Sequence, residues 1–216
     1  MTTSSLPNEH LHTRYANALA RYFDAINAPI ERRWRRERRR ELLAGLGGDV
    51  LEIGAGTGTN LEHYTAADRL TLVEPARAMR ERLEGAVAAA GRPADVVDAM
   101  AEDLPFADGS FDVVVCFLVL CSVRDLATAL GEARRVLRPG GTFVFLEHVR
   151  AEGRLGRAQD LVDPVWRRIG VGCRPNRRTL DAIREAGFVV ESPQVIRPPA
   201  QIPLETPVAS GRARRG

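Results

Sequence analysis

At 216 residues and 44% hydrophobic content, the chain is long enough for one domain with a core of its own. Its formal net charge of +3 is too small to argue for a nucleic-acid partner. Every basic residue is arginine, which excludes a lysine Schiff base and the P-loop lysine, and with them pyridoxal enzymes and typical P-loop NTPases.

The first twelve residues, Met1 to His12, are polar, and no apolar stretch approaches the roughly 20 residues that span a bilayer. A cytoplasmic protein without a membrane span is expected. Leu11, Tyr15, Leu19, Tyr22, Phe23 and Ile26 then recur on one helical stripe. Pro29 separates this helix from a second, Ile30 to Leu46, which Gly47-Gly48 stops. Seven arginines crowd between Glu31 and Glu41. With Glu31, Glu37 and Glu41 at helical spacing, they read better as a solvated helix face than as a nucleic-acid or lipid patch. Residues 1–46 are thus expected to form a helical cap and residues 47–216 the main body of a single structural domain.

The run Asp49 to Asn60 is a short apolar strand, Val50 to Ile53, that carries Glu52 and opens into a turn with glycine at 54, 56 and 58. Glycines let backbone N–H groups approach a ligand and adopt φ > 0. In open α/β sheets the ligand crevice lies at such a strand's carboxyl end. The spacing is not the G-x-G-x-x-G of dinucleotide enzymes, and a carboxylate before the turn would repel a pyrophosphate yet accept hydrogen bonds from an ammonium group. Further strands are expected at Leu70–Val73, Ala94–Val97, Phe111–Phe117 and Thr142–His148. Helices are expected near Leu61, at Pro75–Ala90 and at Asp125–Leu137. Strands buried on both faces and alternating with helices imply a parallel, doubly wound sheet. After a helix from Asn176 to Ala186, strands near Phe188–Ile196 and Thr206–Gly211 close the chain.

Glu74, directly after the second apolar strand and about twenty residues beyond the glycine loop, is placed to accept ribose hydroxyls. Cys116, Cys121 and Cys173 are a small, odd set without metal-ligand spacing, so no disulfide framework or zinc site is indicated and no metal is expected.

The acid, the glycine loop and the strand pattern resemble the first motif of class I S-adenosylmethionine-dependent methyltransferases. Asp108 to Val123 and Arg135-Val136-Leu137-Arg138-Pro139-Gly140-Gly141 resemble the methyltransferase type 11 group, which includes quinone-ring C-methyltransferases. The Leu-Arg-Pro-Gly-Gly element reads as a helix end and a turn that needs a left-handed glycine. A narrower resemblance, in Val115 to Val123, Glu147-His148-Val149, Asp163-Pro164-Val165-Trp166 and Gly172-Cys173, is to methyltransferase-like proteins that methylate alkyl thiols and hydrogen sulfide. Those relatives carry an apolar N-terminal anchor, whereas this N-terminus is polar, so membrane attachment does not carry over.

The resemblance implies a seven-stranded, mainly parallel, Rossmann-like sheet with an antiparallel C-terminal hairpin. S-adenosylmethionine is the implied cofactor and S-adenosylhomocysteine the product. The implied cofactor contacts are Glu52, Gly54, Ala55, Gly56, Gly58, Asn60, Glu74, Pro75, Ala101, Glu102, Cys116, Phe117 and Leu118. Met100 stands where many relatives hold adenine with an aspartate, which shifts that contact to the Ala101 N–H and to Glu102. His148 is the candidate general base or substrate-orienting group, and equally a strand-end histidine with structural partners. Tyr15, Tyr22, Cys121, Asp163 and Trp166 are candidates for the acceptor pocket, although Cys121 also fits a buried structural thiol. A small-molecule acceptor, a thiol first, and a monomer or homodimer are expected. An Asn-Pro-Pro-Tyr type element, where amino-group methylating enzymes hold a base, is replaced by Phe117-Leu118-Val119-Leu120, which argues against nucleic acid.

Overall fold

The computed structural model describes residues 28–29, 31–169, 172–197 and 206–216. Its strands are β1 (Gly48–Ile53), β2 (Ala67–Val73), β3 (Asp95–Val97), β4 (Phe111–Phe117), β5 (Leu137–His148), β6 (Phe188–Ile196) and β7 (Val208–Arg215). They form one sheet in the order β3-β2-β1-β4-β5-β7-β6, parallel except for β7, which runs antiparallel to both β5 and β6. The mainly parallel sheet with a closing antiparallel pair is the expected fold.

Side chains of β4 alternate between two cores. Val114 and Cys116 face helices α3 (Leu126–Val136) and α5 (Thr179–Glu185), packing with Leu130, Ala133 and Ile183. Val113, Val115 and Phe117 face the other layer, with Leu42 and Leu43 of α1 (Arg36–Leu43) and Leu83 of α2 (Arg77–Ala90). Both faces of the parallel strands are thereby covered, which is why these strands read as continuous apolar runs. Register then levels the strand ends. Ile53 lies opposite both Val73 and Cys116, and Phe117 lies opposite Leu146. Gly54, Glu74, Leu118 and Glu147 therefore emerge along one edge, where the strand order reverses between β1 and β4.

Three expectations are corrected. The helix expected to run to Leu46 ends at Leu43 and begins with a single π-helical turn, Glu31–Arg35. The element expected at Thr142 begins at Leu137, because Leu137 already pairs with Phe111 before Arg138 to Gly141 bulge out of register. Gly140 in that bulge has φ +73°, the left-handed turn that the motif requires. The last strand lies at Val208–Arg215, later than Thr206–Gly211. Residues 153–169, for which no element was expected, form a helix, α4 (Gly153–Ile169), with Pro164 inside it. The expected helix at 11–26 falls outside the described residues. No helix among the described residues is long and apolar enough to cross a membrane.

Candidate active site at the carboxyl edge of the sheet

The glycine loop leaves β1 with Gly54, Gly56 and Gly58 at φ +70°, +59° and +89°. Their surroundings differ. A Cβ on Gly54 would lie 2.5 Å from Val119 Cγ2, and one on Gly58 2.7 Å from Leu61 Cδ1, so both are packed shut. A Cβ on Gly56 would meet nothing within 4 Å. The loop therefore turns one open backbone face to the crevice, at Gly56.

Glu52 is buried, and both of its oxygens are engaged: Asn60 Nδ2 donates to Oε1 at 2.6 Å and the Tyr64 hydroxyl to Oε2 at 2.7 Å. Arg39 donates from Nη1 to Asn60 Oδ1 at 2.8 Å, pairs with Glu31, and lies 5.5 Å from the Phe117 ring centre. Burial pushes the Glu52 carboxyl up to about 7, against the pull of Tyr64, Asn60 and Arg39. The arginine run is thus not wholly a solvated face. Arg35 and Arg39 are buried, whereas Arg36 and Arg40 pair with Glu62 and Glu37 at the surface.

Glu74, just beyond β2, accepts from Gly56 N–H at 2.9 Å and from Ala76 N–H at 2.8 Å. It therefore braces the open glycine from below, and burial raises its pKa. Pro75 follows it, half-buried, and its carbonyl accepts from Arg80 at 3.2 Å. Ala101 is buried within the turn closed by Asp103 N–H to Met100 O. Glu102 accepts through Oε1 from Arg124 N–H at 2.8 Å, while its Oε2 is buried with no hydrogen-bond partner among the described residues.

The segment after β4 is held from both sides. Leu118 takes φ +61°, a strained value for a leucine at a site edge. Glu147, fully buried, accepts from the N–H groups of Val119, Leu120 and Cys121 at 2.9, 2.9 and 3.2 Å. Arg177 donates to the carbonyls of Leu120 and Val123, both at 2.5 Å. A carboxylate thus gathers the segment's donors and a guanidinium its acceptors. Burial pushes the Glu147 pKa well above the carboxylate range.

Against this frame lie Cys121, His148 and Cys173. His148 Nδ1 is 3.5 Å from the Sγ of each cysteine. Cys121 and Cys173 are buried and free of disulfide. The neighbouring thiol raises the pKa of Cys121 and lowers that of Cys173, which Trp166 lowers further. Cys116 is buried deeper, its thiol held well above its ordinary pKa by desolvation. Asp163 lies on the same helix as Trp166, with Oδ1 buried and unpartnered among the described residues. The sequence candidates Cys121, His148 and Trp166 therefore converge. Tyr15 and Tyr22 lie outside the described residues.

Three positions escaped the residue-by-residue reading. Tyr64 and Arg39 build the Glu52 network, and neither carries a local motif. Glu147 had a legible signal: an acid at the end of an apolar strand, the same pattern that marked Glu52 and Glu74.

A doubly wound sheet with an antiparallel closing pair, a glycine loop after β1 and an acid after β2 defines an S-adenosylmethionine-dependent methyltransferase. The chain matches the methyltransferase domain family over residues 51–145. It is 37% identical over 178 residues to thiol S-methyltransferase TMT1A of Homo sapiens, covering 76% of this chain and 69% of that one. To TMT1B of Homo sapiens it is 39% identical over 181 residues, with 77% and 74% covered. The chain belongs to this methyltransferase family. A shorter match, 35% identical over 146 residues, covers 65% of the chain and 60% of demethylmenaquinone methyltransferase of Mycobacterium sp. (strain JLS). Among solved structures, a methyltransferase of Thermotoga maritima described as a possible histamine N-methyltransferase superposes with a TM-score of 0.67 at 25% identity, over 96% of this chain and 99% of that one.

Proposed function

We propose that the protein transfers the methyl group of S-adenosylmethionine to a small thiol. The observation that carries this reading is the likeness over three quarters of the chain to two proteins named thiol S-methyltransferases. The residues at the carboxyl edge fit the donor. The open face at Gly56 suits a ligand that approaches backbone closely. Glu74, already bound to Gly56 N–H, keeps lone pairs for ribose hydroxyls. The unpartnered buried Oε2 of Glu102 suits the adenine amino group. Glu52 stands at the loop's base, where its carboxyl keeps lone pairs beyond the Asn60 and Tyr64 hydrogen bonds, and a bound methionine ammonium would favour its ionised form.

The reaction asks little more than alignment. A thiolate attacks the sulfonium methyl carbon in line; the new S–C bond forms as the old one breaks, and its electron pair returns to the donor sulfur. A free thiol has a pKa near 8.5, so modest help with deprotonation suffices. His148, half-buried at the end of β5 beside Cys121, is the candidate for orienting the acceptor.

The test is an acceptor panel of hydrogen sulfide, an alkyl thiol and a phenol, following S-adenosylhomocysteine. Turnover of the thiols with at most trace turnover of the phenol is expected. Turnover of the phenol alone would establish instead an O- or C-methyltransferase, the reading that the demethylmenaquinone methyltransferase likeness favours. Cofactor binding without product across the panel would mark a non-catalytic binding protein.

A further inference from the structure

We propose that Cys121 Sγ, His148 Nδ1 and Cys173 Sγ form a three-ligand site for a zinc ion, whose fourth position takes the sulfur of the acceptor thiol. The first half stands on geometry alone; the second rests on the thiol reading above.

The three donor atoms lie within 4.8 Å of one another. Tetrahedral zinc with bonds of about 2.3 Å to sulfur and 2.0 Å to nitrogen separates an S,N pair by about 3.6 Å and an S,S pair by about 3.8 Å. The observed S···N separations are both 3.5 Å. Nδ1 has one proton or one lone pair, so a hydrogen bond accounts for only one of its two sulfur neighbours at a time. A cation bonded to all three atoms accounts for both contacts. Two thiolates and one imidazole make a soft donor set, and two thiolates neutralise the ion in a buried place.

The supporting shell is present. Glu147 fixes the Cys121 N–H, and Arg174 N–H donates to the Cys121 carbonyl at 2.8 Å. Gln159 joins α4 to both neighbouring loops, donating to the Val149 and Pro175 carbonyls at 3.2 and 2.9 Å. The Trp166 side chain lies beside Cys173, and an indole N–H can only donate, which suits a ligating sulfur. Three protein ligands with one open position is the arrangement of catalytic rather than structural zinc. In the reaction, an acceptor thiol loses its proton to water on taking the fourth position. Its sulfur then forms the new bond to the donor's methyl carbon while the donor sulfonium takes back its electron pair, and the thioether dissociates.

The site was hidden because the cysteines stand 52 residues apart in sequence, with the histidine between them. The test uses the full chain, stripped with chelator and titrated with cobalt(II). One equivalent should bind with a sulfur-to-metal charge-transfer band, and zinc should displace it. Adding an alkyl thiol should intensify the band, since a third sulfur then ligates. C121S and C173S should weaken binding by about 100-fold or more while S-adenosylhomocysteine still binds, which shows that these variants fold. Failure of the wild-type chain to bind cobalt, or binding without the charge-transfer band, overturns the site whatever the variants do. Undiminished thiol turnover by the metal-free chain overturns the acceptor role and leaves the thiol reading intact. A metal-loaded chain that turns over only the phenol overturns the thiol reading and, with it, the acceptor role, leaving the three-ligand site standing.

Discussion

Burial gives the carboxylates of this site their unusual properties. Glu52 titrates at about 7 in the fold against an ordinary value of 4.5, because desolvation outweighs its hydrogen bonds. The folded state therefore holds the proton more tightly than the unfolded chain. The stabilisation is complete below 4.5 and is lost as the pH rises through about 7, roughly 3 kcal/mol in all. Thermal melts of wild type and E52Q across that interval should show the wild type losing stability more steeply, and parallel curves would contradict the account. Glu147→Ala should be harsher. It strands three N–H groups at about 1–3 kcal/mol each, so urea unfolding should show a loss of at least about 3 kcal/mol, with E147Q milder. Gly56→Ala separates structure from function. Its backbone conformation costs about 1 kcal/mol, yet the methyl projects into open space, so S-adenosylhomocysteine affinity should fall about tenfold or more by calorimetry.

Coupling between elements shows in two places. Arg39 on α1 joins Glu31, Asn60 and Phe117, so one helix side chain ties the N-terminal layer to the loop after β1 and the end of β4. Arg39→Ala leaves buried partners uncompensated, and chemical denaturation should register a loss of about 3–5 kcal/mol. Gly54 and Val119 touch across the crevice floor, since a Cβ at 54 would meet Val119 Cγ2 at 2.5 Å. Gly54→Ala should be strongly destabilising and partly rescued by V119A, a coupling that a double-mutant cycle measures.

The strands were the most legible elements, because burial on both faces leaves uninterrupted apolar runs such as Val113 to Phe117. Helix α4 was not legible. It contains Gly153, Gly156 and Pro164, residue types that helix interiors disfavour, and a Cβ on Gly156 would lie 2.0 Å from the Ala151 carbonyl, so that glycine lets the chain entering the helix pass close to its first turn. Among site residues, Glu74 and the glycines could be read from their place after apolar strands. The Glu52 network and the Cys121–His148–Cys173 cluster could not, because each is assembled from segments far apart in sequence.

At the scale of the whole molecule, level strand ends bring β1, β2, β4 and β5 to one edge, where a donor held by the first two would meet an acceptor held by the last two. A crystal structure with S-adenosylhomocysteine tests this most directly. The account predicts the amino acid half against Gly54 to Gly58, the ribose on Glu74, adenine at Ala101 and Glu102, and the sulfur turned toward the space before Leu118, Cys121 and His148. A sulfur facing any other wall, with no open path to His148, would contradict it.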